Sequence, residues 1–144
     1  MLTQAGVRAI ILTEGINDVG AESAEARDVI GVHEQLIAQA HAAGLPIYGG
    51  TMVPFGGSDA RYGGNYGTTA ADDQRRAVND WIRTSGAFDG VIDFDAALRD
   101  PRDRGRLLPV HDSGDHLHPS DAGYRKMAET VDLDMLLRGP LGTR

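Results

Sequence analysis

The hydrophobic period of this chain switches repeatedly between strand-like and helix-like spacing, and that alternation is what most restricts the fold. Val7 to Thr13 reads as an apolar run with β-branched residues, as expected for a strand buried on both faces of a parallel sheet. It stops at Glu14-Gly15. From Glu25 to Ala43, residues Val29, Val32, Leu36, Ile37 and Ala40 fall on one helical face, and Gly44 is placed to close that helix. Leu45 to Thr51 gives a second strand. Thr69 is positioned to cap a helix containing Asp72, Val78, Trp81 and Ile82, which Gly86 stops, and Phe88 to Phe94 gives a third strand. A polar segment from Asp95 to Arg106 precedes a last amphipathic helix, capped by Ser120 and running through Tyr124, Met127, Val131 and Leu136. The pattern predicts an α/β fold with three parallel strands in a single domain, residues 1–144, without repeat or linker.

Residues 54–67 do not fit either period. They are dense in glycine, too irregular for a phosphate loop and without its lysine, so they predict an extended surface loop. Tyr62 and Tyr66 are candidates to border a substrate cleft there, or simply to pack the loop.

Composition narrows the function. A chain of 144 residues is long enough for one core without covalent staples. With no cysteine, disulfides and thiolate metal sites are excluded, and the redox compartment stays open. A net charge of −7 argues against nucleic acid or an anionic membrane as partner, because phosphate binding needs clustered cations. No apolar run is long enough to span a bilayer, and Met1-Leu-Thr-Gln lacks the basic start of a signal peptide. These features leave the localisation unknown and point to a small, uncharged substrate.

The chemistry concentrates in Asp115-His-Leu-His118-Pro119, followed by Ser120. An acid three residues before a histidine can orient it as a general base, with Pro119 stiffening the turn and Ser120 starting the helix. Read blandly, the same stretch is a polar loop capping a helix. His111, Asp112, Asp115, His116 and His118 also make up a donor set that zinc or another divalent ion would accept, although metal sites draw on separated elements or fixed helical spacing, and neither occurs here. That makes a metal-binding protein the weaker reading. His33 and His41 fall on the first long helix, where a structural or solvent-facing role is expected. At the other end, Gly15-Ile-Asn17-Asp18 directly follows the first strand.

In their order along the chain, the Gly-x-Asn-Asp and Asp-x-x-His-Pro blocks resemble those of the SGNH (GDSL-type) hydrolases. The resemblance implies a flavodoxin-like, three-layer αβα fold with strand order 2-1-3-4-5, in which the three strands here are equivalent to 3, 4 and 5. It implies cleavage of carboxylic or acyl esters of a small molecule, with Asp115 and His118 as triad members, Asn17 as oxyanion donor and no metal or organic cofactor; Gly15, in the Asn17 block, and Ser113, the hydroxyl nearest in sequence to the Asp115–His118 pair, are candidates to border the substrate. Members are often secreted. No Gly-Asp-Ser nucleophile block and no oxyanion-glycine block precede Asn17, so the resemblance covers the C-terminal part of the family's domain, a truncated version of its fold. Three outcomes then stand open. A recruited hydroxyl, among Ser113, Ser58, Thr13 and Thr51, serves as nucleophile; or His118 activates water; or the chain is an inactive remnant or complementing half-domain. The first strand, without its inner neighbours, becomes an exposed edge, which predicts a homodimer formed through it.

Overall fold

A computed structural model describes residues 5–58 and 62–138; Met1 to Gln4 and part of the glycine-rich loop lie outside the described residues. Three parallel strands form one sheet in the order β1 (Ile10–Leu12), β2 (Ile47–Gly50), β3 (Gly90–Ile92). Between and after them run α1 (Ile16–Gly20), α2 (Ala26–Ala42), α3 (Thr69–Thr84), α4 (Phe94–Leu98), α5 (Asp121–Thr130) and α6 (Leu133–Arg138). This is the α/β fold that the alternation predicts. The order is also the one expected for three consecutive strands on one side of a flavodoxin-like sheet.

Side chains alternate across the sheet, and the two faces carry separate cores. Ile47 and Leu12 join Val29, Ile37, Val78, Ile82 and Phe88 beneath α1, α2 and α3. Tyr48 and Ile92 instead join Phe94 and Leu98, with Met127 from α5, Val131 from the junction and Met135 from α6 packed against them. Helices on both faces of one sheet make three layers.

Several elements differ from the sequence expectation. The first strand is shorter than Val7 to Thr13 and is not buried on both faces: Leu12 is buried, but Ile11 is 40% exposed. It lies at the edge and pairs with β2 alone among the described residues, so one side of its backbone lacks a ladder partner. Val32, expected on the buried face of α2, is 54% exposed, while His33 beside it is buried. The cap of α3 is Thr68 and not Thr69, its Oγ1 accepting from the Ala71 N–H at 3.2 Å. The last helix is broken in two. Thr130 and Val131 are β-branched, Val131 turns extended, and Asp132 Oδ1 accepts from the Asp134 and Met135 N–H groups, starting α6 with a new cap. Finally, Asp93 caps the short α4 inside what reads as strand end and polar loop, accepting from the Ala96 N–H at 3.0 Å.

Candidate active site

Asp115 shapes its own loop. Its Oδ1 accepts from the backbone N–H groups of Leu117 at 2.9 Å and His118 at 2.8 Å, the side-chain-to-backbone turn that aspartate favours. Its Oδ2 accepts from His118 Nδ1 at 2.7 Å and from the Tyr62 hydroxyl at 2.7 Å. The loop is closed at its base, where Ser113 N–H donates to His118 O and Ser120 N–H to His111 O. Ser120 Oγ then accepts from the Gly123 N–H at 3.1 Å and caps α5, as its sequence position predicts. His118 is thereby fixed at the edge of a helix.

The electrostatics follow from those bonds. Burial alone would push the Asp115 carboxyl up, but the bonds from the His118 backbone and ring, the Tyr62 hydroxyl and the Leu117 backbone outweigh it and hold the group well below the usual carboxylate range. The carboxylate therefore stays ionised and anchors Nδ1–H. The His118 side chain remains 54% exposed, and Nε2 has no partner among the described residues, so it is available as a base.

Asn17 sits in α1, in the turn that follows β1. Its Oδ1 accepts from the Tyr66 hydroxyl at 2.5 Å, which leaves its amide N–H groups to face elsewhere. Burial, then the charges of Asp18 and Glu22, push the Tyr66 phenol up, so it stays a donor.

Asn17 and His118 open on one cleft of about 280 Å³. It lies past the carboxyl ends of the strands, where open α/β sheets bind ligands: Thr13 follows β1, Thr51 to Val53 follow β2, and Phe94 follows β3. Leu117, Pro119, Tyr124 and Met127 complete a largely apolar lining. Of these, Met52, Val53 and Phe94 were not singled out for the site from the sequence, although their positions just beyond β2 and β3 are the signal that locates them.

Gly15, Ser113 and Ser58 fall outside the cleft. Gly15 borders a smaller depression of about 120 Å³ against α2 with His33 and Val32, and Ser113 borders neither. Ser58 is buried and its hydroxyl donates to Phe55 O at 2.7 Å. Thr51 lines the cleft, but its Oγ1 donates to Asp93 and accepts from the Asp95 N–H, both at 2.9 Å. Thr13 brings to the cleft an aliphatic hydroxyl, and Tyr124 a phenol, each without a hydrogen-bond partner among the described residues. The histidines of the 111–118 run diverge: His111 donates to Leu98 O at 3.4 Å, His116 to Asp112 and His118 to Asp115. Among the described residues, no three histidine or acidic side chains are grouped to hold a metal ion.

The family model described as GDSL-like Lipase/Acylhydrolase matches residues 1–126. The chain belongs to that family. Its fold is shared with a GDSL-like lipase from Bacteroides thetaiotaomicron, at 15% identity and a TM-score of 0.72, over 90% of this chain and 62% of the other. A G-D-S-L family protein from Desulfitobacterium hafniense aligns at 16% identity and a TM-score of 0.67, over 87% of this chain and 63% of its own. This GDSL-family chain thus spans less than two thirds of the length of either structure. No curated protein sequence matches it. Among its described residues, no helix is long and apolar enough to cross a membrane.

Proposed function

We propose that this chain carries the ester-hydrolysing half of a GDSL-family site, acting on a small, uncharged carboxylic or acyl ester. The observation that supports this is the single cleft shared by Asn17 and the Asp115–His118 pair. In this reading His118 Nε2 takes a proton from a water molecule as the water oxygen bonds to the ester carbonyl carbon. Asp115 stabilises the imidazolium that results, and the Asn17 amide donates to the developing oxyanion. The C–O bond to the alcohol then breaks, and the imidazolium returns its proton to the leaving oxygen. Residues 1–144 act in this as one unit, equivalent to the C-terminal part of the family's domain.

The second reading is an inactive remnant or complementing half-domain. It draws on the observation that, among the described residues, no serine borders the cleft. Hydrolysis of p-nitrophenyl acetate and butyrate, compared with His118→Ala and Asn17→Ala, tests the two. Activity that both substitutions abolish supports the hydrolase; activity equal in all three proteins supports the remnant. Parallel labelling with a fluorophosphonate, compared with Thr13→Val, distinguishes a recruited hydroxyl from water.

The partner expected in either case is a second copy of this chain, joined through the unpaired edge of β1, where Ile11 is exposed. Size-exclusion chromatography with light scattering should give twice the monomer mass; a monomer removes this part of the reading.

A further inference from the structure

The glycine-rich loop contributes no residue to the cleft lining from its 62–66 segment, yet both of its tyrosines end on the site. Tyr62 donates to the same Asp115 oxygen that receives His118 Nδ1, and its ring meets the His118 ring edge-on, with centroids 5.5 Å apart. Four residues later Tyr66 donates to Asn17 Oδ1. Both members of the proposed site are therefore held from one short segment, each by a phenol.

The segment is built to present them. Gly63 and Gly64 both take positive φ, 69° and 65°, and a Cβ at Gly64 would lie 2.6 Å from Gly20 O and 2.7 Å from Ala21 Cα. The loop can thus lie directly on the end of α1, where Asn65 N–H donates to Gly20 O at 2.6 Å and Asn65 Nδ2 to Ser23 Oγ at 2.6 Å. The Tyr66 ring lies over Gly20 and meets Phe55 edge-on at 5.9 Å. Each hydroxyl then performs a distinct task. At Asp115, Oδ2 is shared between Tyr62 and the imidazole, so the carboxylate is fixed by donors on both oxygens and cannot swing to solvent. At Asn17, a phenol donating to Oδ1 decides which end of the amide is free: the donor end remains for an oxyanion, whereas a flipped amide would present an oxygen to it and repel it.

We propose that Tyr62 and Tyr66 are positioning residues, Tyr62 for the Asp115–His118 pair and Tyr66 for the Asn17 amide, so that one loop aligns the base with the oxyanion donor. The proposal rests on the hydrolase reading for its kinetic part alone. Tyr62→Phe and Tyr66→Phe keep both rings and remove only the hydroxyls, and Tyr62 is 42% exposed, so the fold is retained.

The test reads the His118 ring nitrogens and the Asn17 side-chain amide by NMR in each variant, with kcat and KM for p-nitrophenyl acetate. Tyr62→Phe is expected to shift the His118 ring-nitrogen signals and leave the Asn17 amide in place; Tyr66→Phe is expected to do the converse. In each, kcat should fall about tenfold with KM changed by less than about twofold, as when a group acts only in the transition state. His118 signals unmoved by Tyr62→Phe, or both sites shifted alike by either variant, would overturn the proposal. A parent protein without hydrolysis counts against the hydrolase reading, and the NMR comparison still decides the roles of the tyrosines.

Discussion

Arg75 and Asp95 form an ion pair of 2.8 Å in which the two side chains are only 1% and 5% exposed. Arg75 Nη1 also donates to Met52 O at 3.1 Å, and buried Asn79 grips the same residue from both sides, accepting from its N–H and donating to its carbonyl, each at 2.8 Å. Met52 lines the cleft, so this buried polar cluster sets the position of the cleft wall. The other Asp95 oxygen receives Arg83 and Arg99. Removing Arg75 leaves Asp95 short of a partner in the interior, and Arg75→Ala should cost about 3–5 kcal/mol of unfolding free energy, measured by urea denaturation. A loss below about 1 kcal/mol would mean that water reaches the pair.

Stability should fall on the acid side in two stages. Burial pushes the His33 imidazole below its ordinary value of 6.5, against smaller opposing effects of the Glu14 carbonyl and nearby carboxylates. The unfolded chain therefore binds the proton first, and stability begins to drop as pH falls below about 6.5. Asp93, Asp112 and Asp115 are opposite in charge but alike in direction. Burial raises each, while hydrogen bonds, from Arg83 at Asp93, from Gly114 N–H and His116 at Asp112, and from His118 and Tyr62 at Asp115, bring all three below the ordinary 3.8. Their contribution is complete above that value and lost as pH falls through the lowered folded values. Urea titrations from pH 7 to about pH 2 should show the first stage and the progress of the second. His33→Leu should flatten the first and Asp115→Asn part of the second; unchanged slopes in both variants would refute the assignment.

The fold was largely legible because buried parallel strands and amphipathic helices leave periodic traces that need no partner to be read. The Asp115–His118 hydrogen bond was legible because it joins residues three apart, whereas Asn17 stood out through the family resemblance and only the fold brings it to the same cleft as His118. What stayed hidden depends on distant contacts. Nothing in the local sequence marks Arg75, and only the fold brings Asp95 and Met52 O to it. Tyr62 and Tyr66 stand out as cleft candidates from composition, yet their phenols reach Asp115 and Asn17 across long stretches of chain, which no periodicity encodes. Val32 was misread since the helical spacing alone does not tell how far the covered face extends.

Gly15 stands two residues before Asn17 in sequence but does not line the cleft. Its φ is 118°, and a Cβ there would lie 2.9 Å from Val29 Cγ1 and 3.3 Å from Met52 Sδ. Gly15→Ala combines left-handed strain with a clash against the core, so it should lower stability by about 1–3 kcal/mol in thermal or urea unfolding. A protein unchanged in stability but altered in KM would instead return Gly15 to the substrate side.

The cleft also sets an expected substrate length. Ile16, Val53, Phe94, Leu117 and Met127 leave about 280 Å³ around Asn17 and His118, room for a short acyl chain with few polar partners. Met127 reaches this space from α5 while packing against the β3-side core, and its flexible thioether side chain is the part of the wall that a substitution shortens with least disturbance. Met127→Ala should therefore favour longer acyl groups. Since each methylene gained in an apolar pocket changes discrimination by about tenfold or more, the kcat/KM ratio of p-nitrophenyl butyrate to acetate should rise by about that factor. An unchanged ratio would mean that the acyl chain of a hydrolysed ester lies elsewhere, and that Met127 serves the core alone.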